Sequence, residues 1–322
     1  MSAIPAVYYY DEHPSEADFY AEVIAGLTRR PRRIPPKFFY DERGSELFDA
    51  ICRTEDYYPT RTEQALLQQN AGEIFDLIGE RCRLIEPGSG NSEKVRLLLD
   101  VLRPSVYVPM DISRDFLYQA ADQVAREYPW LEIHAACVDF TAPLSLPFCP
   151  PGGRKLIFFP GSSIGNFEPE QAEMFLRNLI PVAGPQGSLL IGVDLKKDPA
   201  ILNAAYNDRE GVTAAFNLNL LHRIGRELDA ELNPQLFTHH AYYNAALGRI
   251  EMHLVSQQAQ QLTIDGQRFD FDKNESIHTE SSYKYTVEEF IDLAGRAGFT
   301  SRQVWTDPDN LFSLHYFDVA ED

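Results

Sequence analysis

The sequence predicts an α/β protein with a doubly wound parallel sheet and a second domain. Short apolar segments alternate with helical patterns from about residue 84 to residue 195, as parallel strands covered by helices do. The first apolar segment runs directly into a glycine turn, and the alternation is interrupted between residues 196 and 285 before it resumes. We therefore expect one sheet domain that carries a large insertion.

Residues 83–94 are predicted to form a buried strand, a glycine turn and the start of a helix. Gly88 and Gly90 allow a sharp turn and leave no side chain between the backbone and a ligand. A nucleotide-like cofactor is commonly admitted at this place, although tight strand-to-helix turns also use glycine structurally. The helix that follows has one apolar face, formed by Val95, Leu98, Leu99 and Leu102.

Two further strand ends offer groups that suit such a cofactor. Asp111 ends the strand Val106–Asp111 and lies 23 residues after Gly88, close to the offset of ~20 residues at which an acid binds a ribose diol. It could also be a favourable charge at a helix N-terminus. The strand over residues 131–138 ends in Asp139 and Phe140, an edge contact and a stacking face for a heterocycle.

The spacing of the glycines favours one cofactor. A dinucleotide site has the pattern G-x-G-x-x-G, but Glu93 stands at the third glycine position. Glu86 and Glu93 would also repel a diphosphate, whereas nearby negative charge would favour a sulfonium cation. The sequence therefore predicts S-adenosylmethionine, and nicotinamide binding is the minor alternative.

The remaining elements complete the predicted sheet. A fourth strand, Lys155–Phe159, leads into a loop at 161–166, a helix begins at Pro169, and a fifth strand covers 188–193. In the insertion we expect helices at Pro199–Tyr206 and from Val212, with antiparallel strands at 249–255 and 261–264. Thr286 begins a capping box before the next helix. An antiparallel pair at 301–305 and 314–319 closes a seven-stranded sheet.

Composition excludes several classes of function. The chain has 322 residues and a formal net charge of −19, which argues against binding to nucleic acid because phosphates would be repelled. No run approaches the ~20 apolar residues of a membrane span, and the first residues lack the features of a signal peptide. The histidines show no metal-binding spacing. We expect no metal, no nucleic-acid or membrane partner, and a cytoplasmic location.

Six segments together resemble one known family. Residues 37–49 and 57–63 match it in the N-terminal part, and further matches are 88–94, 161–166, 211–217 and 279–284. They run in order at compatible spacings from about residue 25 to the end. The glycine turn is shared by many methyltransferases, whereas the segments around Tyr40, Tyr57 and Glu280 are more specific. The chain resembles the bacterial L-histidine Nα-methyltransferases of ergothioneine biosynthesis.

The resemblance implies a fold, an activity and a set of residues. The fold is a Rossmann-like class I methyltransferase sheet formed by 61–195 and 286–322, with a substrate-binding domain formed by 1–60 and 196–285. The activity is trimethylation of the α-amino group of L-histidine to hercynine. The residues implied for S-adenosylmethionine are Tyr40, Gly88, Lys94, Asp111, Asp139 and Phe140. Those implied for histidine are Phe48, Tyr57, Gly161, Asn166, Tyr206, Met252, Glu280 and Ser282.

The implied roles are chemically consistent. Asn166 and Tyr206 can donate to a carboxylate, while Glu280 and Ser282 can satisfy the two imidazole nitrogens. Tyr40 is the candidate for accepting or relaying the proton of the amine. For Lys94, the candidate partners are Glu86 and the methionine carboxylate of the cofactor. We expect a monomer. Three alternatives stay open: an N-methyltransferase for another aromatic amino acid such as tryptophan or tyrosine, a cofactor-binding module without catalysis, and a nicotinamide oxidoreductase.

Overall fold

The computed structural model describes residues 7–12, 16–141, 146, 149–150 and 152–320. In this part of the chain the strands are β1 Val7–Glu12, β2 Arg32–Arg33, β3 Arg83–Pro87, β4 Val106–Asp111, β5 Glu132–Val138, β6 Lys155–Phe159, β7 Ser188–Asp194, β8 Phe237–Asn244, β9 Arg249–Ser256, β10 Gln260–Ile264, β11 Gln267–Phe271, β12 Ser276–Tyr283, β13 Phe299–Thr306 and β14 Phe312–Val319. The helices are α1 Glu16–Thr28, α2 Glu42–Ile51, α3 Tyr58–Gln69, α4 Ala71–Ile78, α5 Glu93–Leu102, α6 Arg114–Glu127, α7 Pro169–Ala183, α8 Pro199–Tyr206, α9 Val212–Glu227 and α10 Val287–Ala297.

The chain divides into two compact units. The first contains the described parts of residues 1–13, 59–196 and 284–322, and the second contains the described parts of 14–58 and 197–283. None of the helices in the described part of the chain is both long and apolar enough to cross a lipid bilayer.

The first unit is built on a mixed sheet. Its strand order is β1-β5-β4-β3-β6-β7-β14-β13, and β14 runs antiparallel to both of its neighbours. The predicted parallel sheet with an antiparallel end pair is confirmed. The strand order reverses direction at β3 and β6, and ligands of such sheets bind outside the carboxyl ends of the strands at this switch point. The glycine turn follows β3, and the loop at 161–166 follows β6.

Strand β1 adds an eighth strand that the sequence analysis did not predict. It pairs in parallel with β5, with Val7 opposite Ile133 and Glu12 opposite Val138. The predicted domain boundaries differ from the compact units at this point, because residues 1–60 were placed with the substrate-binding domain. The segment gave no strand signal because Tyr8 and Tyr9 are exposed and its apolar residues do not alternate.

Apolar periodicity accounts for the helices around this sheet. The four apolar residues predicted for α5, Val95, Leu98, Leu99 and Leu102, are all buried in the main core. The predicted capping box of α10 is present, with the Thr286 side chain accepting from the Glu289 backbone N–H.

Ser113 stands at the N-cap of α6 as predicted, but its side chain makes no capping hydrogen bond. The Asp111 carboxylate instead accepts from the Ser113 backbone N–H.

The second unit is built on a smaller sheet with strand order β2-β12-β9-β8, together with the hairpin β10-β11. The predicted antiparallel arrangement of the insertion is confirmed by the pairing of β12 with β9. Helix α9 packs against α2 and against β8. Its buried face includes Phe216, Asn217 and Leu220.

Candidate active site

The glycine turn after β3 has the predicted conformation. Gly88 and Gly90 have φ angles of +68° and +53°, a region that is costly for residues with a Cβ atom. The Gly90 N–H donates to the Asp111 carboxylate at 3.0 Å, so the turn is fixed to the end of β4. The hydroxyl of Ser89 is buried and has no hydrogen-bond partner among the described residues. A polar ligand at this turn would satisfy it.

Asp111 and Phe140 lie beside this turn. A Cβ atom on Gly88 would lie 3.3 Å from Cζ of Phe140, so the ring borders the glycine directly. Burial raises the pKa of Asp111, and hydrogen bonds from the backbone N–H groups of Ser113 and Gly90 oppose that rise. Asp139 follows β5 and accepts from the Thr141 backbone N–H. The structure thus brings a turn, an acid and an aromatic ring together at one edge of the sheet.

Lys94 has a partner that the sequence analysis did not identify. The sequence indicated Glu86 or the methionine carboxylate of the cofactor as its partner, but Lys94 Nζ lies 2.5 Å from Oε2 of Glu63. Glu63 is fully buried on α3, and both of its oxygens accept from the Gly161 backbone N–H at 2.9 Å. A single buried carboxylate therefore contacts a predicted cofactor residue and a predicted substrate residue.

Glu86 lies on β3 just before the turn, where it is buried and hydrogen-bonded to a tyrosine. The hydroxyl of Tyr107 donates to its carboxylate, and Ser92 Oγ lies 3.1 Å from the same hydroxyl. Burial raises the pKa of Glu86 to about 8, although the Tyr107 hydrogen bond and the charge of Lys94 oppose the rise. Near neutral pH this group therefore holds a proton in the folded state.

This proton predicts a pH dependence of stability. The pKa of Glu86 rises from 4.5 to about 8 on folding, so between these values the folded chain retains a proton that the unfolded chain has released. The free energy of unfolding should fall as the pH rises through this window, by up to about 1.4 kcal/mol per pH unit from this group. In urea unfolding of the ligand-free protein, Glu86→Gln should show a shallower fall than the wild type. Identical slopes would contradict the assignment.

These groups fit the predicted cofactor. An acid at the end of β4 can accept from ribose hydroxyls, a ring beside the turn offers a face to adenine, and Ser89 offers an unsatisfied hydroxyl. The carboxylates of Glu63 and Asp111 lie near the turn and are compatible with a cation, whereas they disfavour a diphosphate. Glu86 holds a proton near neutral pH and therefore does not add the negative charge expected of it from the sequence.

In the second unit, three predicted substrate residues share one face of a strand pair. Met252 of β9 lies directly opposite Glu280 of β12, and Ser282 follows two residues later on the same strand. Side chains two residues apart on a strand point to the same side of the sheet. All three are buried, with Glu280 8% exposed. The register shifts between His278 and Glu280, which marks an irregularity immediately before this face.

Tyr206 reaches the same face from the end of α8. Its hydroxyl donates to Ser282 Oγ at 2.8 Å. Its backbone oxygen accepts from His239 Nε2 at 2.9 Å, while Asn217 Nδ2 donates to His239 Nδ1. Burial lowers the pKa of His239, so the imidazole is neutral and its proton lies on Nε2. The sequence analysis did not identify His239 and Asn217 as residues that hold Tyr206, because buried polar groups leave no periodic signal.

A series of aromatic rings connects the other predicted residues of this unit. The Tyr40 and Phe48 centroids are 5.8 Å apart, those of Phe48 and Tyr57 6.5 Å, and those of Tyr57 and Tyr206 6.2 Å. Each pair meets edge to face, a favourable arrangement. The structure therefore gathers Tyr40, Phe48, Tyr57 and Tyr206 with Ser282 in one unit. Gly161 and Asn166 lie in the first unit, where Asn166 ends the 3₁₀ turn Ser163–Asn166 after β6.

One group in the second unit has the residue types of a metal site. Among the described residues, ligand atoms of Glu251, His253 and His278 lie within 4.8 Å of one another. The carboxylate of Glu251 is already bound by Arg249 at 2.8 Å and by the Tyr242 hydroxyl at 2.7 Å. His278 Nε2 lies 2.8 Å from the Glu280 carbonyl oxygen, so it carries a hydrogen. A cation as close as Arg249 disfavours a metal ion at this position.

Comparison with known proteins identifies the family to which this chain belongs. Residues 19–319 match the model of the family described as histidine-specific methyltransferase, SAM-dependent. The chain belongs to this family. The resemblance found in the sequence is thereby confirmed, as is S-adenosylmethionine as the cofactor.

Three relatives are similar to this chain over most of its length. Histidine N-alpha-methyltransferase of Mycolicibacterium smegmatis is 42% identical over 91% of this chain and 92% of its own length. Ergothioneine biosynthesis protein 1 of Neurospora crassa is 32% identical over 88% of this chain but only 33% of its own length. The 4-dimethylallyltryptophan N-methyltransferase easF of Claviceps purpurea is 27% identical over 95% of this chain.

Solved structures show the fold alone. The CurJ carbon methyltransferase aligns with a TM-score of 0.50 at 12% identity, over 87% of this chain and 60% of that protein. The class I methyltransferase fold that the resemblance implied is thus confirmed.

Proposed function

We propose that this chain transfers three methyl groups from S-adenosylmethionine to the α-amino nitrogen of L-histidine. The product is hercynine, and the reaction is the first step of ergothioneine biosynthesis. The observation that carries the proposal is the buried face formed by Met252, Glu280 and Ser282, with the Tyr206 hydroxyl on Ser282. Membership of the histidine-specific family supports the same substrate.

The polar groups of this face match the imidazole ring. A carboxylate accepts from one ring nitrogen, and a hydroxyl can donate to the other or accept from it. Because Glu280 and Ser282 are two residues apart on β12, they present both groups on the same side of the strand. The Met252 side chain and the rings of Phe48 and Tyr57 supply the apolar surface. Asn166 and Tyr206 are assigned to the substrate carboxylate, to which the Tyr206 hydroxyl would donate its one hydrogen in place of Ser282 Oγ.

The residues of the chain contribute mainly binding and orientation. When bound, S-adenosylmethionine would supply an electrophilic methyl group on its sulfonium sulfur. The cofactor would be held by Gly88, Lys94, Asp111, Asp139 and Phe140, with Lys94 paired to its methionine carboxylate. Correct positioning of a nucleophile can lower a barrier by about 7–11 kcal/mol. The α-amine must be neutral when it attacks, and Tyr40 accepts or relays the proton that it releases. Tyr40 also contacts the cofactor in this proposal.

Repeated methylation restricts how the amine can be held. Each transfer adds volume at the nitrogen and removes a hydrogen that could be donated. A direct ion pair to the amine would therefore stop the reaction after one methyl group. We expect loose, partly water-mediated contacts at this nitrogen and firm contacts at the imidazole and the carboxylate.

One alternative is supported by the comparisons. The 4-dimethylallyltryptophan N-methyltransferases align over most of this chain, so an indole amino acid is the second candidate substrate. An indole nitrogen only donates a hydrogen bond, which leaves the Ser282 hydroxyl of the buried Glu280–Ser282 pair without a match on the ring. The imidazole uses both groups.

The test is incubation of the purified protein with S-adenosylmethionine and a panel of free L-amino acids, with products read by mass spectrometry. We expect a trimethylated product from histidine alone. Turnover of tryptophan or tyrosine without turnover of histidine would be consistent with the proposed cofactor but would contradict histidine as the substrate.

We further propose that the enzyme acts as a monomer in the cytoplasm. Size-exclusion chromatography coupled to light scattering tests the oligomeric state.

A further inference from the structure

We propose that Glu63 is a positioning residue that holds Lys94 and the Gly161 turn in their binding arrangement. Its carboxylate contacts Lys94 Nζ at 2.5 Å and the Gly161 backbone N–H at 2.9 Å. It belongs to the first unit, as do both of its partners. The inference rests on the proposed role of Lys94 in binding the carboxylate of the cofactor.

The surroundings of Glu63 are built to keep a carboxylate in place. The side chain is fully buried, and a buried charge is strongly unfavourable unless it is paired and hydrogen-bonded. Gly192 of β7 provides the room, because a Cβ atom there would lie 1.9 Å from Oε1 of Glu63. A side chain at position 192 would thus exclude the carboxylate from this position.

Lys94 depends on this contact for its orientation. A lysine side chain is flexible and carries a compact charge that can adopt many positions. Nζ lies beside the Gly161 turn, since a Cβ atom on Gly161 would be 3.5 Å from it. The pair with Glu63 selects one of these positions. The ammonium is then preorganised for a ligand carboxylate, which increases affinity by reducing the ordering cost of binding.

Glu63 also fixes the turn that leads to Asn166. The Gly161 N–H is shared by both oxygens of the carboxylate, and the turn continues into the 3₁₀ segment Ser163–Asn166. One carboxylate therefore orders a cofactor-binding side chain and the start of a substrate-binding loop.

The test compares two ligands that differ in their amino-acid part. S-adenosylhomocysteine carries the carboxylate assigned to Lys94, and 5′-methylthioadenosine lacks it. In calorimetric titrations, Glu63→Gln should weaken S-adenosylhomocysteine by about 10- to 100-fold, the range of one charge-assisted hydrogen bond, and leave 5′-methylthioadenosine within about twofold. Equal weakening of both ligands, or of neither, would overturn the proposal.

A double-mutant cycle tests whether Glu63 acts on the affinity for S-adenosylhomocysteine through Lys94. In a Lys94→Met background, Glu63→Gln should cause no further loss of S-adenosylhomocysteine affinity. Additive losses would show that Glu63 does not act through Lys94. Glu63→Asp keeps the charge but shortens the reach, so it should give a smaller loss for S-adenosylhomocysteine alone. It provides the same comparison if the glutamine variant does not fold.

The matched control is Glu127→Gln, which alters a half-exposed ion pair with Arg96 in the same unit. It should leave both affinities unchanged. The ligand titrations contain no histidine, so failure of this proposal is distinguishable from failure of the proposed substrate.

Discussion

Replacement of Glu280 by alanine should reduce kcat/KM for histidine by about 10- to 100-fold. The side chain is 8% exposed and lies opposite Met252 on the face that also carries Ser282. Removing a charged hydrogen-bond partner from a buried site costs about 1.5–3 kcal/mol, and each 1.4 kcal/mol is a factor of ten. The measurement is steady-state kinetics with histidine and with tryptophan. An unchanged kcat/KM for histidine would contradict the imidazole assignment.

Glu251→Gln is the matched control for this prediction. It removes the charge of another buried glutamate on the neighbouring strand, opposite Ser281 and therefore on the other face of the sheet. Although burial raises its pKa, hydrogen bonds from Tyr242, Arg249 and His253 lower the pKa of Glu251 to about 2. The control should be less stable than the wild type, but its preference for histidine over tryptophan should not change.

Replacement of Tyr40 by phenylalanine should lower kcat by about 100-fold near pH 7, the lower end of the range for general acid–base catalysis. The ring packing against Phe48 and Phe216 is retained in this variant, so the loss reports the hydroxyl alone. The deficit should shrink as the pH rises, because more of the amine is then neutral without help. A pH–rate profile of wild type and variant measures this.

A deficit that is the same at every pH would contradict a role in proton transfer and leave Tyr40 with a binding role only. The control is Tyr20→Phe, which removes a hydroxyl that donates to Asp265 at 3.2 Å in the same unit. It should leave both kcat and its pH profile unchanged.

The sequence predicted most of the sheet because the determining signals are local. The apolar run before Gly88, the acid at Asp111 and the capping box at Thr286 each act within a few residues. Strand β1 was missed for the opposite reason. Its pairing with β5 joins segments more than 120 residues apart, and its exposed tyrosines carry no alternating pattern.

The residues of the candidate site could be named from the sequence, but most of their contact partners could not. Glu280, Ser282 and Met252 were named as substrate residues from the resemblance alone, and the structure shows that they share one face of the β9–β12 pair. The partner of Lys94 could not be predicted, since Glu63 lies 31 residues earlier on a different helix. The same holds for Asn217 and His239, which support Tyr206 through contacts that exist only in the folded chain.

The most direct test of the account is the position of the transferred methyl groups. Histidine should be converted to completion with S-adenosylmethionine labelled with ¹³C in its methyl group, and the product examined by NMR. The account predicts one methyl resonance for three equivalent groups, correlated with the α-carbon. A resonance correlated with the imidazole ring, or a product with a single methyl group, would contradict it.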